Sequence, residues 1–167
     1  VFTDFLASTE TNQWKLTLTD STKTLGNATL LKNGTNYSVV YSGASTGANT
    51  WLSAIIVNKT TGDILHYGKL KALTAETDAA GQTAAFQMPG GVTLGSNTVM
   101  QVFVETVAES QTGTDYASPV KELTAAEIVE SIAVSGATTT YTAGETFVTE
   151  GVTVTATLSG GGTLALP

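Results

Sequence analysis

Cysteine and arginine are both absent from the 167 residues, and each absence removes a class of chemistry. Without cysteine there are no disulfides, no thiolate nucleophile and no sulfur-ligated metal, a composition compatible with an exported protein that holds its fold by packing alone. Without arginine all seven basic residues are Lys, and against 14 acidic residues the formal charge is −7. Phosphate backbones are repelled by such a chain and the bidentate reader of base edges is missing, which argues against nucleic acid as a partner. Long apolar runs are missing too. The longest, such as Ala54-Ile55-Ile56-Val57, fall far short of the ~20 residues of a membrane helix, so the chain is expected not to span a membrane. It opens at Val1 with no charged stretch leading into an apolar one, so a signal peptide is expected to have been removed or to lie outside the sequence.

What is present is β-forming. About a fifth of the residues are Thr, a β-branched type suited to a pleated surface. Apolar and polar residues alternate with period two at Trp14, Leu16 and Leu18, again over 37–41, and most cleanly at Val152, Val154, Ala156 and Leu158 against Thr153, Thr155 and Thr157. The segment 51–57 is apolar on both faces apart from Ser53, as a central strand covered on both sides would be. Asn58-Lys59-Thr60-Thr61-Gly62-Asp63 supplies turn residues, and the chain returns through Ile64, Leu65, His66 and Tyr67 as a hairpin. Further strands are expected near 82–88, before a turn at Pro89-Gly90, and near 98–107. Pro119 fits an edge strand or a strand start.

The stretch 123–130 has helical or linker character, and a new set of strands follows it. The expected organisation is an N-terminal extension over 1–11, a β-sandwich over 12–123, a linker over 124–130 and a second strand set over 131–167. Core positions of the sandwich are expected at Trp14, Leu16, Leu18, Val39, Ile55, Val57, Phe86, Val102 and Val104.

In the second set, Ser131-Ile132-Ala133-Val134, Tyr141-Thr142-Ala143-Gly144-Glu145-Thr146-Phe147 and Gly151-Val152-Thr153-Val154-Thr155-Ala156 resemble the bacterial immunoglobulin-like (Big) domains of Gram-positive cell-surface proteins, a likeness that covers 128–167. Gly160, Gly161 and Gly162 stand where that family often has an acidic residue before glycine. Residues 12–123 resemble a Gram-positive surface-protein repeat through Tyr41-Ser42-Gly43-Ala44, Ile55-Ile56-Val57, His66-Tyr67-Gly68-Lys69-Leu70 and Thr114-Asp115-Tyr116-Ala117-Ser118. The resemblance implies an all-β chain, an immunoglobulin-like β-sandwich followed by a partial second immunoglobulin-like module. It also implies a secreted protein at the cell surface or cell wall, with modules serving as spacers or adhesive units, and brings no catalytic residue. A partial module leaves strand edges to cover, either by packing on 12–123 or by pairing into a homodimer through 131–167.

Candidate chemistry is sparse. Gly43-Ala44-Ser45-Thr46-Gly47 matches the G-x-S-x-G nucleophile elbow, with Asp63 and His66 following in the order Ser, Asp, His. The elbow needs a helix after the serine, whereas Ala48-Asn49-Thr50 leads straight into the strand at Trp51, so a plain connection is preferred and no catalytic residue is assigned. A lone His66 on an alternating segment cannot build a multi-histidine metal site, and the carboxylates show no EF-hand spacing. No metal and no cofactor are assigned, although Ca²⁺ held by carboxylates distant in sequence stays open. The N-x-[ST] triplets at Asn27, Asn33, Asn36 and Asn58 receive no function.

Trp14 shares a face with Leu16 and Leu18, and Trp51 with Ile55 and Val57, which assigns both indoles to the core. Sugar binding would need aromatic platforms, with Trp14, Trp51, Tyr37, Tyr41 and Tyr67 available and Trp51, Tyr41 and Tyr67 chosen. The expectation is a non-enzyme, a structural or adhesive module whose partner is a host or cell-wall glycan or protein. The alternative is a carbohydrate-binding accessory module of a secreted glycosidase.

Overall fold

The structure is a computed structural model that describes residues 6–7, 22–107, 116–138, 140–146 and 148–166. It is all-β, with two six-stranded sheets packed face to face as in a β-sandwich and, among the described residues, only a single 3₁₀ turn at Glu76–Ala79. The first sheet is built on the hairpin of β4 (Thr50–Asn58) and β5 (Asp63–Ala72). β7 (Thr98–Thr106) flanks β4, β1 (Leu6–Ala7) flanks β5, and β8 (Tyr116–Ala117) and β9 (Lys121–Leu123) both pair with β7. The second sheet contains β2 (Asn27–Asn33), β3 (Asn36–Ser42) and β6 (Gly81–Gln82), continued past β2 by β10 (Glu127–Ser135), β11 (Thr153–Leu158) and β12 (Thr163–Leu166).

Alternation decides which side chains meet between the sheets. Leu30, Val39 and Tyr41 point in from the second sheet, and Leu52, Ala54, Ile56, Met100, Val102 and Val104 from the first, with Phe86 closing the same cluster. Each such large side chain contributes about 1.5–3 kcal/mol relative to exposure. Of the expected core, Val39, Ile55, Phe86, Val102 and Val104 are buried and Val57 is half-buried, while Trp14, Leu16 and Leu18 lie outside the described residues. Ile55 faces the other way, in a second apolar cluster with Phe103 and Ala117 on the outer side of the first sheet. β4 is therefore buried on both faces, as its doubly apolar sequence requires.

The β4–β5 turn is made by Asn58, whose Oδ1 accepts hydrogen bonds from the Thr60 and Thr61 N–H groups at 2.9 and 3.3 Å. Gly62 completes it at φ 78°, a left-handed conformation that glycine adopts without penalty.

Two expected elements differ. The strand near 82–88 pairs regularly with β3 only at Gly81 and Gln82, then meets it again at Phe86 opposite Tyr37. Between the Thr83–Val39 and Phe86–Tyr37 contacts one chain advances three residues and the other two, a bulge in which the Thr83 hydroxyl accepts the Val39 N–H at 3.0 Å. The stretch 124–130, read as a linker, instead begins β10 at Glu127. Ile128 and Val129 are β-branched neighbours that favour extended backbone, and β2 offers a free edge: Glu127 and Ile128 pair in parallel with Leu31 and Lys32.

Residues 127–166 thus attach to the second sheet rather than standing apart. The outer faces of β2 and β3 give Leu31 and Val40 to a small cluster with Ala156 and Leu158, supported by Val129, Leu164 and Leu166. Glu127 locks the turn between β11 and β12, its Oε2 accepting hydrogen bonds from the Ser159 hydroxyl at 3.1 Å and the Gly160 N–H at 2.8 Å. A Cβ at Gly160 would meet Glu127 Oε1 at 2.8 Å, so a larger residue there would have to displace the carboxylate from this turn.

Candidate functional site

The outer face of the first sheet brings aromatic, acidic and basic side chains together. Register places Trp51 beside Glu105, Ser53 beside Phe103 and Lys69, and Ile55 beside Tyr67. Glu105 Oε1 accepts hydrogen bonds from the fully buried Ser53 hydroxyl at 2.6 Å and from the Tyr67 hydroxyl. Lys69 Nζ lies 4.9 Å from the centre of the Trp51 ring, a cation–π contact across neighbouring strands. Two of the three chosen aromatics, Trp51 and Tyr67, are therefore brought together on one face.

Tyr41 is not part of that face, and this corrects its choice as a platform. It is 2% exposed in the core between the sheets, its hydroxyl donates to the Asp78 carbonyl at 3.1 Å, and Lys71 Nζ lies 5.6 Å from its ring centre. The same lysine also reaches the Asp78 carboxylate at 3.7 Å. Tyr37 stacks on Phe86 with centroids 6.1 Å apart and has Lys32 Nζ 5.7 Å from its ring centre. Trp14 lies outside the described residues.

A lysine ammonium thus sits over Trp51, Tyr41 and Tyr37, and Tyr67 is bound to Glu105 and packed beside Ile55. A sugar ring needs a free aromatic face with hydroxyl-binding groups around it. Here Trp51, Tyr41 and Tyr37 each have a lysine at the ring, and Tyr41 and Tyr67 also use their hydroxyls in hydrogen bonds within the protein. Sequence pattern revealed the aromatics but not their lysine partners: Lys69 and Lys32 come from the neighbouring strand of the same sheet, and Lys71 comes from β5 of the opposite sheet.

Ser45 lies in the connection from β3 to β4, with no helix after it. Its hydroxyl accepts the Thr24 N–H at 2.8 Å and pairs with the Thr24 hydroxyl at 3.1 Å. Asp63 pairs with Asn58 at the other end of the nine-residue strand β4 from that connection, about 26 Å along the backbone. His66 lies opposite Ile56, also towards that far end. The three residues matching the hydrolase order are spread along the sheet rather than converged. Burial holds the His66 imidazole below its usual pKa of 6.5, the direction expected when a cation is desolvated.

Among the described residues no group of three or more His, Asp or Glu side chains is placed to hold a metal ion, and no helix is long and apolar enough to cross a membrane. A groove of about 650 Å³ opens where β10 and β12 meet the outer face of β2 and β3, with Tyr37, Gln82, Ile128, Ile132 and Leu166 on its walls. Comparison with protein-family models, with curated proteins and with solved structures finds no match.

Proposed function

We propose that this chain is a non-catalytic structural or adhesive module of a secreted bacterial cell-surface protein. The observation that carries the reading is the internal engagement of the aromatic side chains: Trp51, Tyr41 and Tyr37 each lie under a lysine, and Tyr67 is tied to Glu105. Residues used in this way stabilise two packed sheets instead of presenting a binding platform. The continuation of the second sheet from β2 into β10 adds support, because it couples 22–123 to 127–166 through backbone pairing and a shared apolar cluster, as suits a spacer that transmits load. The resemblance of 128–167 to bacterial immunoglobulin-like modules agrees with this role.

The second reading, a carbohydrate-binding accessory module of a secreted glycosidase, is favoured by one observation, the gathering of Trp51, Tyr67 and Glu105 on a single sheet face.

Pulling the chain from its two ends in a single-molecule force experiment tests the structural reading. A load-bearing module is expected to give discrete rupture events, an early one as the two-residue β10–β2 joint parts and a later one as the main core opens. Smooth extension without a rupture event would contradict it.

A further inference from the structure

Among the described residues, β10 carries an open strand edge. Past its contact with β2 at Glu127 and Ile128, it pairs only with β11 among the described residues, so its other edge over 129–135 has no ladder partner there. Ser131, Ile132, Ala133, Val134 and Ser135 are all exposed, Ile132 at 59% and Val134 at 60%. These five residues include no charge and no proline, the devices that usually keep edges from pairing. Of the sheet's two terminal strands, β6 offers two residues and β12 four, and the β12 sequence runs into Pro167, which has no N–H to donate.

We propose that the β10 edge pairs antiparallel with the same edge of a second copy of this chain, about a two-fold axis at Ala133. The sequence is self-complementary about that point. Read in either direction, Ser131-Ile132-Ala133-Val134-Ser135 runs small polar, β-branched apolar, alanine, β-branched apolar, small polar. Pairing centred on Ala133 sets Ile132 opposite the partner's Val134 and Ser131 opposite the partner's Ser135. Glu130, the nearest charged residue, falls opposite the partner's Gly136, so like charges do not meet. Ile132 and Val134 share a face with Ala156 and Val154 across the β10–β11 ladder, and the contact extends that apolar face from one copy into the next. The arrangement is isologous, closes on itself, and joins the two copies through one continuous sheet.

The absence of native cysteine gives a position-specific test. Two Ala133 residues facing each other across the axis have Cα atoms about 4.5–5.5 Å apart, within disulfide range. Ser131 faces the partner's Ser135, so its own symmetry mate lies about 13 Å away along the strand. Under mild oxidation, Ala133→Cys is expected to give a disulfide-linked dimer and Ser131→Cys to stay unlinked. The otherwise unmodified chain is expected to sediment as a dimer in equilibrium with monomer, and Ile132→Lys as a monomer with unchanged far-ultraviolet circular dichroism. Absence of linkage at Ala133→Cys, equal linkage at both positions, or a dimer that persists in Ile132→Lys would each overturn the proposal.

Discussion

Val104 and Ser118 exchange a reciprocal pair of hydrogen bonds in which a side chain stands in for backbone: the Ser118 N–H donates to the Val104 carbonyl at 2.7 Å, and the Val104 N–H donates to Ser118 Oγ at 2.9 Å. Val39 and Thr83 repeat the arrangement on the other sheet, at 3.0 Å in both directions. In each case a buried hydroxyl caps a donor where an edge segment leaves the ladder. At Ser118 the edge advances four residues, from Ala117 to Lys121, while β7 advances three, from Glu105 to Val102.

Ser118→Ala should leave the Val104 N–H buried without its acceptor and lower unfolding stability by about 1–3 kcal/mol. Thr83→Val, which keeps the side-chain volume, should have an effect of similar size at Val39. Chemical denaturation of both variants measures this, and a change below ~0.5 kcal/mol in both would show that the hydroxyls do not carry these bonds.

Gly136 follows β10 at φ 75°, and a Cβ added there would collide with the backbone carbonyl of Gly151. Gly136→Ala should therefore displace the 151 turn and loosen 127–166. It is expected to destabilise by more than the ~1 kcal/mol of an ordinary glycine replacement, with faster amide exchange in β10 and β11 than in β4 and β7. Uniform exchange rates across both regions would contradict this.

His66 gives the stability a pH dependence that can be assigned to one residue, since it is the only histidine. Burial lowers its folded pKa below 6.5, so the unfolded chain binds the proton more readily. The associated stability is fully present above about pH 6.5 and is lost as pH falls from there through the lower folded value. His66→Gln should remove that slope. Glu122 acts in a separate window: its hydrogen bond from Lys59 lowers its pKa below 4.5, so its small surface contribution is present above that pH and is lost only in more acid solution.

Strands whose information is local were legible in the sequence. Alternation marked β3, β7 and β11, a run apolar on both faces marked β4, and Asn58 through Asp63 announced the hairpin, because side-chain pattern and turn chemistry act over a few residues. The hydroxyl-capped bulges at Thr83 and Ser118 were not legible, since each depends on the residue across the sheet and reads locally as an ordinary polar position. The β10–β2 joint escaped for the same reason: two parallel pairs between residues about a hundred positions apart leave no periodic trace, and Ala126, Ile128 and Val129 beside glutamates imitate a linker. At the candidate site the shared face of Trp51 and Ile55 followed from alternation. Tyr41 was misplaced because an alternating segment has two faces, and only the packed sheets determine which one is the core.

The most direct test of the central claim, that the aromatic residues serve the fold rather than a ligand, is to measure Trp51→Ala for both unfolding stability and calorimetric binding of purified cell-wall polysaccharide. The account predicts a loss of about 1–3 kcal/mol in stability, from the half-buried indole and its Lys69 contact, and no saturable heat of binding with either the wild type or the variant. Saturable binding by the wild type that disappears in Trp51→Ala while stability is unchanged would contradict it.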